Sequence, residues 1–244
     1  MHRNFLAHDE QSWMPLRLSD NLVELNGYSV EIALSLLLTA NGKKIALTDS
    51  IYKHGRSKVF EIFAQPGATL KNFTDNIRFG KRGWNVKGVS RILIHGGANS
   101  MFERNGQIRR VTIFEVLEEF KAIRTVIRRE NSSAILIFSS ILPRRDGYLE
   151  NKSYIAGINF ALEKWCARSK GSCVFLPSYV PFIKHGKPNK ALLSDSDGLH
   201  PCGAGVSKLD SLFEQAFSSE FLLDKVLSER VRILRGQPSF PGRL

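Results

Sequence analysis

Five apolar runs of strand length punctuate this chain: KIALTD (44 to 49), VFEIFA (59 to 64), RILIHGG (91 to 97), AILIFSS (134 to 140) and CVFLP (173 to 177). Runs that are apolar on successive residues suit strands buried on both faces, as in a parallel sheet. Parallel neighbours cannot be joined by tight turns, so crossovers must connect them, and helix-period segments fill most of the gaps. The clearest is TIFEVLEEFKAIRTVIRR. There Thr112 and Glu115 form a capping box, Ile113, Leu117, Phe120, Ile123 and Ile127 form the buried stripe, and Arg124 and Arg128 fall on the other face. Two further helices are predicted over 154 to 167 and 206 to 217.

The expected fold is a three-layer α/β/α domain around a five-stranded parallel sheet with flavodoxin-like winding. A chain of 244 residues, 43% of them hydrophobic, can bury such a core. We divide it into a helical flanking segment (1 to 40), the sheet domain (41 to 229) and a basic tail (230 to 244). No run approaches a membrane span, since IALSLLL stops after seven residues. The N-terminus lacks the apolar core of a signal peptide, so a cytoplasmic protein is expected. Cys166, Cys173 and Cys202 form no CxxC pair, which fits reduced thiols; no metal or other cofactor is expected.

Charge is the compositional outlier. Lys and Arg number 35 against 23 Asp and Glu, a net charge of +12. Residues 71 to 130 hold 13 of these bases against six acids. Clustered positive charge favours a phosphate backbone as partner, with an anionic membrane second and a merely well-solvated surface the bland alternative. Arg78, Lys81 and Arg82 in RFGKRGW, Lys53, Arg56 and Lys58 after the first strand, and Arg230, Arg232 and Arg235 in the tail are the candidate RNA contacts. Tyr52, Phe79 and Trp84 are candidate stacking partners for unpaired bases.

In a wound parallel sheet, ligands meet the loops that leave the carboxyl ends of the strands. Those loops carry Ser50 after the first strand, Gly67 after the second, and Asn99 in HGGANS after the third; Asp197 and His200 stand in DGLH before the last helix. A serine needs a histidine to take its proton, and that histidine needs a carboxylate to hold its tautomer. A glycine N–H and an asparagine amide supply oxyanion donors. Each has a bland reading as a turn or loop anchor.

In this order, TDS, Gly67, GANS and DGLH resemble the four blocks of the SGNH, or GDSL-type, hydrolase family over residues 43 to 217. The resemblance implies a Ser50–His200–Asp197 triad with Gly67 and Asn99 at the oxyanion. Thr48 stands where the family has glycine, and Ser100 where it has aspartate. Residues 50 to 58 are too few for a full crossover helix. The basic charge and the altered first block resemble, more narrowly, the OSK family, the C-terminal domains of insect Oskar-type germ-plasm proteins. That likeness implies a non-catalytic fold that binds maternal mRNA, through single-stranded parts of 3′ untranslated regions, in germ-granule assembly, and it makes this chain a piece of a longer protein. Two functions therefore compete: RNA binding, favoured by charge and altered blocks, and a serine esterase or deacylase.

Overall fold

The computed structural model describes residues 41–105, 107–169, 173–222 and 225. The flanking segment 1–40 and the tail with Arg230, Arg232 and Arg235 lie outside the described residues. All five apolar runs are strands of one parallel sheet: β1 (Lys44–Thr48), β2 (Glu61–Ala64), β3 (Arg91–His95), β6 (Ile135–Ser139) and β7 (Cys173–Leu176). Their order is β2-β1-β3-β6-β7, so the winding reverses between β1 and β3 and opens a crevice at their carboxyl ends. A short antiparallel hairpin, β4 (Phe102–Asn105) and β5 (Gln107–Arg110), stands outside this sheet.

Both faces of the sheet are covered. Ile94 is paired with Phe138 and shares its face, where the Phe138 ring meets Phe120 and Trp165 edge-on at 5.9 and 5.2 Å. Those rings belong to α2 (Ile113–Glu130) and α3 (Tyr148–Arg168). Side chains alternate along a strand, so His95 points the other way, and its ring lies 5.1 Å from Phe213 of α4 (Gly203–Ala216). The remaining helix, α1 (Leu70–Phe79), packs against α2 and ends at Gly80 in the left-handed conformation.

The α2 capping box forms as expected: Thr112 Oγ1 accepts from the Glu115 amide at 3.2 Å, and Glu115 Oε2 accepts from the Thr112 amide at 2.8 Å. Two helix starts differ from expectation. The second predicted helix begins at 148 rather than 154, because Glu150, Lys152 and Ser153 are exposed and even Leu149 faces solvent, so apolar periodicity does not mark its start. The third begins at 203 rather than 206, with Gly-Ala-Gly inside its first turn. A Cβ on Gly205 would lie 2.0 Å from the Leu192 carbonyl oxygen, so the helix can start there only against a bare glycine.

No α-helix joins β1 to β2. The connection is a single 3-10 turn, Ser50–Tyr52, followed by an irregular loop. That loop is tied to α4 instead. The buried Tyr52 donates its hydroxyl hydrogen to Asp210 Oδ1, which also accepts from the Arg56 amide at 3.1 Å, and Ser57 donates to Glu214 at 2.8 Å. The carboxyl end of α4 is held from below by Arg91, whose buried guanidinium donates to the Phe217 carbonyl and, at 2.8 Å, to Ser219 Oγ.

Candidate active site

Thr48 ends β1 with its side chain fully buried, registered between Ala64 and His95. A β-branched residue suits that extended position, so its replacement of glycine leaves the turn beyond it intact. The turn is capped by Asp49, whose Oδ1 accepts from the Ile51 amide at 2.8 Å. This cap presents Ser50 at the crevice.

His200 arrives from the loop before α4. Its Nε2 lies 3.0 Å from Ser50 Oγ and its Nδ1 2.7 Å from Asp197 Oδ2. Asp197 is itself fixed, with Oδ1 accepting from the amides of Leu199 and His200, each at 2.9 Å. Burial works to raise the Asp197 pKa, but these two amides and the imidazole outweigh it and hold the carboxyl at about 2. An ionised Asp197 accepts from Nδ1–H, which leaves the Nε2 lone pair for the Ser50 hydroxyl. Gly198, between the two residues, has φ of +63°, and a Cβ there would approach Arg145 Cβ to 2.8 Å. DGLH is therefore a compact turn whose shape depends on glycine.

Gly67 is exposed with φ of +73°, and a Cβ on it would meet only open space, so backbone conformation rather than crowding calls for glycine. Asn99 Nδ2 donates to the Ala68 carbonyl at 3.1 Å, which ties the third loop to the second and leaves one amide hydrogen available. Ser100 accepts from the Leu70 amide at 2.8 Å and so serves the first turn of α1. The replacement of the family's aspartate here is structural in effect.

Lys53, Arg56 and Lys58 are exposed on the loop that follows Ser50, and Arg78, Lys81 and Arg82 are exposed after α1. Phe79, 61% exposed, lies beneath the Lys81 ammonium at 5.3 Å. Tyr52 and Trp84 are corrected: both are buried core residues, Tyr52 against Phe213 and Trp84 against Phe73, so neither can stack on a base. The charge cluster is also thinner than its sequence count. Lys71, Lys87, Lys121 and Arg129 are in ion pairs with Asp75, Glu130, Glu118 and Glu130, and Arg91 is buried. Arg124 and Arg128 are half-buried rather than solvated; Arg124 lies over Trp165, and Arg128 donates to the carbonyls of Ser132 and Ala134.

Two further residues at the site, Asp49 in TDS and His95 in HGGANS, were not among the candidates. Asp49, one residue before Ser50, has its carboxyl wholly buried; burial raises its pKa to about 6 against the opposing pull of the Ile51 amide, His200 and the Gly97 amide. His95 is buried at the end of β3, and burial alone lowers its pKa to about 3, so the ring is neutral. Among the described residues no cluster of His, Cys, Asp or Glu could hold a metal ion, and no helix is long and apolar enough to cross a membrane.

The fold is that of the SGNH, or GDSL-type, hydrolases, with a Ser-His-Asp constellation at its carboxyl edge. Solved structures share it. A GDSL-like lipase from Bacteroides thetaiotaomicron is 16% identical, with 78% of this chain and 96% of that one covered at a TM-score of 0.58. A carbohydrate esterase family 3 structure from Talaromyces cellulolyticus is 15% identical over 75% and 99%, at 0.56. A lipase/acylhydrolase from Enterococcus faecalis is 18% identical over 71% and 94%, at 0.51. No sequence-family profile and no curated protein matches the chain. At such identities the likeness carries the fold and not the reaction.

Proposed function

We propose that this protein is a serine ester hydrolase working through an acyl-enzyme on Ser50. One observation carries the reading: the hydrogen-bonded chain from Ser50 Oγ to His200 at 3.0 Å and on to Asp197 at 2.7 Å. His200 takes the hydroxyl proton as Ser50 Oγ attacks the ester carbon, and Asp197 balances the imidazolium that forms. The developing oxyanion is received by the Gly67 N–H and the free Asn99 amide hydrogen. Collapse breaks the carbon–alkoxy bond, His200 returns the proton to the departing alcohol, and water repeats the sequence to release the acid. Steady-state assays with short acyl esters test this. Wild type turns them over and Ser50→Ala loses at least ~10³-fold in kcat; a folded but inert wild type overturns the reading.

A second reading concerns a different surface. Arg78, Lys81 and Arg82 are exposed, make no ion pair among the described residues, and flank the exposed Phe79 ring, which supports binding of single-stranded RNA. Filter binding at several salt concentrations should give an affinity that falls as salt rises and that joint charge reversal of the three residues abolishes. Unchanged binding by that variant removes this reading. Nothing in the comparisons bears on the OSK likeness or on the germ-granule role it implies, and the hydrolase reading is the better supported of the two.

A further inference from the structure

The carboxyl edge of the sheet carries a seam of buried polar groups that the ester chemistry does not use. Ser140 and Ser139 Oγ lie 3.0 and 2.6 Å from Ser178 Oγ, and Ser139 Oγ lies 2.9 Å from His95 Nδ1. The seam is anchored at its far end by the Tyr179 amide, which donates to Ser140 Oγ at 2.9 Å. At its near end it stops at His95 Nε2, which is buried and has no hydrogen-bond partner. Asp49 Oδ2 is likewise buried and makes no hydrogen bond of normal geometry, although the Gly97 amide lies close enough to help hold the carboxyl. Both residues line one small, partly open recess, which Ile51, Ala98, Ile141, Leu142 and Leu199 also line.

Its size decides what fits. The cavity has room for the centre of one water-sized sphere, about 10 Å³. A buried water needs about that much room and at least two polar partners, while an unpaired buried carboxyl or imidazole nitrogen costs roughly 1–3 kcal/mol or more. A Cβ at neighbouring Gly96 would stand 3.5 Å from Asp49 Oδ2 and 2.9 Å from the Phe73 ring. Glycine keeps this space open.

We propose that the cavity is a binding site for one ordered water that bridges Asp49 Oδ2 and His95 Nε2, making His95 a positioning residue for the Ser50 turn. Asp49 holds that turn through Oδ1, so the bridge links the nucleophile to a polar seam crossing β3, β6 and the end of β7. The titratable groups that face Asp49 are His95 and His200. The positioning half of this proposal rests on the hydrolase reading; the water itself does not.

The test has two arms. A crystal structure of the wild-type protein, at a resolution that shows single waters, is expected to place density within hydrogen-bonding distance of both atoms. An empty or apolar-filled cavity overturns the proposal whether or not the protein hydrolyses esters. In the second arm His95→Phe, which removes the partner and fills the space, lowers kcat about tenfold or more with KM unchanged, while His95→Gln, whose amide can reach the same water, recovers most of it. Folded His95→Phe with wild-type kcat overturns the positioning role. If Ser50→Ala shows that the wild type has no ester activity to lose, the hydrolase reading falls and the density alone decides the water site.

Discussion

Asp49 and Asp197, on either side of the Ser50–His200 pair, have opposite protonation behaviour, and the difference is measurable as stability. Asp197 lies below its usual range, so its contribution is present above about pH 4 and is lost as pH falls through about 2. Asp49 lies above it, at about 6 against 3.8, so the folded state holds that proton more tightly than the unfolded chain. Its contribution is present below about pH 4 and is lost as pH rises through about 6, a difference of about 3 kcal/mol. The Asp49→Asn variant, which keeps the Oδ1 acceptor for Ile51, should therefore be more stable than wild type at pH 8 by up to that amount and near parity at pH 4. Urea unfolding at both pH values checks it, and an equal gap at each would refute the assignment. His95 works in the other sense, its neutral form contributing above pH 6.5 and losing ground as pH falls toward about 3. The placement of Ser50, Asp197 and His200 near one another was legible because each follows a strand or precedes a helix in a fixed order. Asp49 and His95 stand in the quoted TDS and HGGANS stretches, but their role there becomes distinctive only through burial.

Among the elements, the connection from β1 to β2 departs furthest from a wound sheet. Its burden falls on α4, through the Tyr52–Asp210 and Ser57–Glu214 bonds. Gly55 marks how closely the loop is drawn in: a Cβ there would lie 2.3 Å from the Tyr52 ring, which is itself trapped against Phe213. Gly55→Ala should cost about 1–3 kcal/mol, read as a lower denaturation midpoint at unchanged slope, with ester turnover reduced because the displaced ring lies two residues from Ser50. A neutral substitution would mean that the loop is looser than its contacts. The strands were readable because unbroken apolar runs have few other uses. The β4–β5 hairpin was missed although Asn105-Gly106 is a hairpin signal, because charged FER and QIRR carry no apolar alternation. Tyr52 and Trp84 were misread for a related reason: neighbouring bases suggested a stacking surface, and only the tertiary fold shows that both rings point inward.

Over the whole molecule, net charge and local charge tell different stories. The +12 total survives, but much of the cluster in residues 71 to 130 is used in ion pairs, carbonyl contacts and burial. The exposed cations nearest Ser50 in sequence are Lys53, Arg56 and Lys58, and a positive rim favours encounter with anionic ligands. Joint charge reversal of these three should raise KM for an anionic ester severalfold, leave kcat and neutral-ester kinetics unchanged, and flatten the dependence on ionic strength. Equal effects on both esters would mean that the loop had been deformed rather than recharged. The tether between the loop after Ser50 and α4 also has a temporal meaning. A ribosome that has delivered residues up to 202 has already made every strand of the sheet, but the Tyr52 hydroxyl and the Arg91 guanidinium still await Asp210 and Phe217. The loop after Ser50 is thus fastened only once α4 emerges and docks, so the Ser50–His200–Asp197 chain awaits synthesis of residues up to 217.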